Sequence, residues 1–209
     1  VILATACGFG LYAILQFRGL NSQEAMELAQ VSRNLAEGKG FITQCIRPAD
    51  MSYLQKNGRS FDVRKFPDIR NPPLYPAIVA GGIKILRPPF ATSVKSGIYL
   101  PEYKVLVPVG IMLVMVTGLF IYLSAKRLFD DQVASISVLC FFLTEAVLCE
   151  SVSGLPVSLG LALSAAATYF AIVAALRKFE GVTIMKWAPF LLLSAVISGG
   201  AFLTSYRLA

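Results

Sequence analysis

Glu24 and Glu27 stand three residues apart in NSQEAMELAQ, so on a helix their carboxylates share one side. Two acids at the mouth of a membrane cavity can act as a general base or coordinate a divalent ion. They also have an ordinary explanation, because acids in a first helical turn are favoured by the helix dipole. A second group is basic: Arg47, Lys56, Arg59, Arg64, Lys65 and Arg70. It leads into Asn71-Pro72-Pro73-Leu74-Tyr75-Pro76, with Lys84 and Arg87 beyond. Cations at headgroup level suit a phosphate or an anionic lipid, and general attraction to headgroups would account for the same excess. Tyr53, Phe61 and Phe66 would serve equally as packing residues of this region.

Other chemistries find no support. The chain has no histidine, which removes His-based triads and His-ligated zinc from these 209 residues. Cys7, Cys45, Cys140 and Cys149 lack metal-ligand spacing, and three of them lie in or beside apolar runs, where a thiol behaves as a small hydrophobe. No glycine-rich phosphate loop, repeat or low-complexity tract is present.

The elements that would position these groups are membrane helices. Apolar residues make up 56% and charged residues 15%, well under the quarter found in soluble domains. Residues 18–104 hold 13 of the 19 Lys and Arg and 7 of the 12 Asp and Glu, a local net of +6. A polar, basic insert within an apolar chain excludes a disordered tail, a soluble α/β enzyme and a nucleic-acid module as first readings. It points to an all-α, multi-pass transmembrane bundle. The expected spans are 1–17, 105–125, 133–150, 155–176 and 187–206. Residues 72–86 are too short to cross and are expected to lie in, or dip into, the interface. The chain starts inside one apolar run and stops after another, which reads as the N-terminal part of a longer protein. No basic leader or small-residue cleavage site marks a signal peptide.

Charge orients the bundle. Short loops carrying Lys126 and Arg127, and Arg177, Lys178 and Lys186, belong in the cytoplasm. Residues 18–104 then form a long extracytoplasmic first loop. Within it, Asn21 or Ser22 is a plausible N-cap and Gly38 a natural stop for an amphipathic juxtamembrane helix. Ala25, Leu28, Val31, Ser32 and Leu35 would trace its buried face.

The order of span, acid-bearing outer helix, SRNLAEGKGF, polar loop, NPPLYP and short apolar helix resembles a known family. It is similar to the N-terminal membrane module of the GT-C glycosyltransferases, in the dolichyl-phosphate-mannose-protein mannosyltransferase and aminoarabinose transferase group. KRLFDD and ISGGAFLTSYR fit the later part of that module. The resemblance implies a multi-pass enzyme of the bacterial inner (plasma) membrane. It would move a sugar from a polyprenyl-phosphate donor to a lipid, protein or glycan acceptor on the outer side, with no nucleic-acid partner. Counting back from Arg33 places the family's catalytic acid at Glu24, while an A-M-acid subset places it at Glu27. Where some members carry an acid and a lysine before the two prolines, this chain has Arg70 and Asn71. Arg70 would thus bind phosphate, with Arg33, Tyr75 and Lys84 as further substrate-binding residues. A second acid would be Glu150. No cofactor is implied with certainty, and a divalent cation is compatible with the paired acids.

Two rivals predict different features. A transporter would carry polar residues at mid-span or broken helices, for which Glu145 and Pro108 are the nearest candidates. A non-catalytic lipid-binding module would keep the basic loop and tolerate loss of the acids.

Overall fold

The computed structural model describes residues 2–56, 62, 66–91, 99, 101–181 and 183–204. Arg59, Phe61, Arg64, Lys65, Tyr206 and Arg207 lie outside the described residues, as does the side chain of Cys7. All regular elements among the described residues are helical, and Ile42 and Pro67 form an isolated antiparallel β-bridge. The chain divides into two compact units.

One unit comprises Val1–Phe17, Gly110–Val152 and Pro156–Ala209. It contains α1 (Ile2–Gln16), most of α5 (Val107–Leu128), α6 (Asp131–Leu143), α7 (Glu145–Ser153), α8 (Val157–Phe179) and α9 (Ile184–Phe202). Its core gathers Phe9, Val114, Val138, Phe142 and Val147, with the Phe9 ring meeting Phe142 edge-on at 5.6 Å. α8 and α9 form a helical hairpin in which the Ser194 hydroxyl donates to the Ala167 carbonyl at 2.8 Å. Arg177 caps that hairpin from the last turn of α8, lying 4.2 Å over the Phe190 ring.

Among the described residues, three helices are long and apolar enough to cross a membrane: Glu102–Leu128, Val157–Phe179 and Ile184–Phe202. Basic residues end the first two, at Lys126–Arg127 and Arg177–Lys178, where they complement the helix dipole. The expected continuous span over 133–150 is broken. α6 and α7 meet at 61° around Thr144, and they reach spanning length only when taken as a pair. Thr144 leaves the helix with ψ of 121°, and its carbonyl accepts the first amides of α7, from Val147 and Leu148. Glu145 therefore sits in a first helical turn, where a carboxylate is favoured, rather than in mid-helix.

The other unit is Arg18–Val109 with Ser153–Leu155. Ser22 caps α2 (Gln23–Ala36) by accepting the Ala25 amide at 3.1 Å, and Gly38 follows the helix with φ of +78°. Of the face its periodicity predicts, α2 buries Ala25, Leu28, Val31 and Ser32 while Leu35 is half-buried, and it buries Ala29, Glu27 and Asn34 besides. The short α3 (Pro48–Lys56) follows in the chain, and α2 packs on α4 (Leu74–Leu86), which buries Tyr75, Val79, Ala80 and Ile83. α4 in turn lies against a π-helical turn, Glu102–Leu106, that runs directly into α5. Gly154 closes the unit in a left-handed conformation, φ +72°. A Cβ there would stand 2.7 Å from Leu20 and 3.6 Å from Ala25.

Candidate functional site

The polar centre of the second unit starts from α2. Glu27 lies on the helix's buried side with 7% of its surface exposed, an expensive place for a carboxylate without partners. Its Oε1 accepts from Gln23 one turn earlier at 3.0 Å, from the Cys45 thiol at 3.1 Å and from Arg47 Nη2 at 2.5 Å. Two backbone contacts bring the last two partners in. The Thr43 amide donates to the Phe66 carbonyl, and the Asp68 amide to the Phe41 carbonyl, zipping residues 41–43 against 66–68. Asn34 of α2 reinforces the join by donating to the Ile42 carbonyl at 2.9 Å.

That join also delivers Asp68, a buried carboxylate the sequence reading passed over. Its Oδ1 accepts the backbone amides of Arg70 and Asn71 at 3.0 and 3.1 Å, and its Oδ2 accepts the Asn71 side-chain amide at 2.8 Å. This is an Asx-type turn that fixes the approach to the two prolines and α4. A crevice lined by Glu27, Arg47, Asp50, Asp68, Arg70 and Asn71 results, with room for about one water molecule.

The two buried acids are tuned in opposite directions. Burial pushes Glu27 up, but the hydrogen bond and charge of Arg47, helped by Cys45 and Gln23, hold its carboxyl below the ordinary range. Burial pushes Asp68 above the ordinary range. The Asn71 hydrogen bonds oppose that shift, and the charge of Glu27 adds to it. Carboxylates whose environments separate their proton affinities can divide base and acid roles between them. Guanidinium groups beside them can balance charge on a leaving phosphate. Among the described residues, no group of three or more His, Cys, Asp or Glu side chains is arranged to hold a metal ion.

The other expected residues are spread more widely. Glu24 sits half-buried in the first turn of α2, outside the crevice lining. Arg70 lines the crevice and is exposed. Arg33 is held elsewhere in the unit: its Nη1 lies 3.1 Å from Glu102 and its guanidinium 5.1 Å over the Tyr99 ring. Tyr75 is a core residue, 1% exposed. Lys84 is exposed near the end of α4. Glu150 is half-buried on α7, in the other unit. No protein-family model, no curated protein and no solved structure matches the chain.

Proposed function

We propose that this chain is part of a membrane glycosyltransferase that moves a sugar from a polyprenyl-phosphate donor to an acceptor hydroxyl or amine on the extracytoplasmic side. The observation that carries the reading is the crevice in which two oppositely tuned carboxylates, Glu27 and Asp68, face Arg47 and Arg70. It belongs to a chain whose other regular elements include three membrane-length apolar helices. In the reaction, a crevice carboxylate takes the acceptor's proton as the acceptor atom attacks the anomeric carbon. The bond from that carbon to the phosphate oxygen breaks, and polyprenyl phosphate leaves with the electron pair. Arg70 balances the departing charge. Glu27 is preferred to Glu24 as the essential acid, because Glu27 lines the crevice and Glu24 does not. Residues 18–104 are assigned to the outer side by the charge of the short loops.

The test is sugar transfer from a polyprenyl-phosphate donor by the full-length protein. Glu27→Gln should lower turnover by about 10²-fold or more, and Glu24→Gln should leave it near the parent value. Folded, inserted Glu27→Gln protein that turns over normally would remove the catalytic assignment. The break at Thr144 favours a second reading, a transporter with a discontinuous span. That reading predicts substrate-dependent uptake into proteoliposomes with no glycosyl product.

A further inference from the structure

We propose that the C-terminal tip of α4 is a wedge for an anionic bilayer surface: Ile85, Leu86 and Phe90 enter the acyl chains, while Lys84 and Arg87 hold the phosphate headgroups. α4 is apolar along nearly its whole length, but only Tyr75, Pro76, Val79, Ala80 and Ile83 are buried. Ile85 is left 82% exposed, Leu86 58% and Phe90 48%. Single exposed apolar residues are normal on any protein. Three large ones within six positions of the chain, at the end of one apolar helix, call for a cover.

The surroundings identify that cover. Arg87 ends the helix in a left-handed conformation, φ 42°, so a second cation stands beside Lys84 at the same helix end. Both are exposed, and neither has an ion-pair partner among the described residues. α4 is fixed alongside the start of a membrane-length helix. A Cβ at Gly82 would lie 2.8 Å from Val105 and 3.8 Å from Val109, in the first turns of Glu102–Leu128. The tip is therefore held near the depth at which that span enters the bilayer. There, apolar side chains sink below the headgroups, and the long stems of Lys and Arg keep their charges at the phosphates. A second copy of this face would set the same cations against each other. Anionic lipid neutralises them and covers the apolar residues together. This inference is independent of the reaction the crevice performs.

These 209 residues hold one tryptophan, Trp187, which suits a fluorescence test. Full-length protein in which Trp187 and every tryptophan outside these 209 residues are replaced by Phe, and which carries either Ile85→Trp or Phe90→Trp, is reconstituted into phosphatidylcholine vesicles with or without phosphatidylglycerol. Emission should move to shorter wavelength, and lipids brominated on the acyl chain should quench it. Quenching should be stronger by about twofold with phosphatidylglycerol. Lys84→Gln with Arg87→Gln should erase that difference. Water-like emission quenched by acrylamide in both vesicles would overturn the proposal. So would short-wavelength emission that brominated lipid leaves untouched, which would mean a protein cover. Equal quenching with and without phosphatidylglycerol would overturn the anionic part.

Discussion

Arg47 places its guanidinium 2.5 Å from Glu27 Oε1, twenty positions earlier in the chain, and so neutralises a carboxylate that α2 turns inward. The pair is lopsided: the Glu27 side chain is 9% exposed and that of Arg47 31%. Arg47→Ala would leave a nearly buried charge with only the Gln23 and Cys45 donors, at a cost of about 1–3 kcal/mol. The expected outcome is a lower unfolding midpoint in detergent for Arg47→Ala, with part of the loss recovered in Glu27→Gln/Arg47→Met. An unshifted midpoint would mean that the pair is energetically idle.

Acid should act on Glu27 in a defined direction. Burial raises its proton affinity, Arg47 and the other donors together outweigh that by lowering it, and the net folded-state pKa lies below the ordinary one. A depressed carboxyl contributes stability that is present above the unfolded pKa and lost as pH falls through the folded one. Asp68 runs the other way. Its raised folded-state pKa means the native state takes up that proton first, a change that favours folding as pH falls. In chemical unfolding measured from neutral to acid pH, Glu27→Gln should lose stability less steeply than the parent. Parallel curves would show that Glu27 is not held ionised by the fold.

Two arginines expected to bind substrate should separate on mutation. Arg70 is exposed in the crevice lining, so Arg70→Ala should weaken transfer by about tenfold or more with little change in unfolding. Arg33 bonds Glu102 and covers Tyr99, so Arg33→Ala should destabilise by about 1–2 kcal/mol. It should leave turnover per folded molecule unchanged. Transfer kinetics and thermal unfolding on the same preparations check both, and a reversed pattern would reassign the phosphate-binding role.

Two local features of the second unit should have separable costs. Ser22→Ala removes the oxygen that accepts the Ala25 amide and should cost about 1 kcal/mol, with Ser22→Asn restoring most of it. Gly154→Ala must find space 2.7 Å from Leu20 in a left-handed backbone, which should cost about 1–3 kcal/mol. Equal unfolding midpoints for Gly154→Ala and the parent would mean that this contact relaxes freely.

Much of the helical layout was legible because it is local. The Ser22 cap, the periodicity of α2 and the Gly38 stop are each written within a few residues. The break at Thr144 was not legible: composition made 133–150 one apolar run, and only the position of Glu145 in a new first turn hinted at a restart. In the crevice, spacing could nominate Glu24 and Glu27 but not choose between them, because that choice depends on which side of α2 meets residues 41–47. Asp68 was missed because its partners come through a long-range backbone join between Phe41 and Asp68. The Asp-x-Arg-Asn-Pro pattern was its one local signal, that of a side-chain-bonded turn.

The π-helical turn at Glu102–Leu106 sets the rotational phase of the long helix that follows it. Such a turn holds one residue more than an α-helical turn would, and deleting that residue would swing every later side chain by about 100°. Val105 and Val109 would then rotate off Gly82. Shortening this stretch by a single codon should therefore be far more damaging than any conservative exchange within it, as expression and folding yield of the two variant classes would reveal.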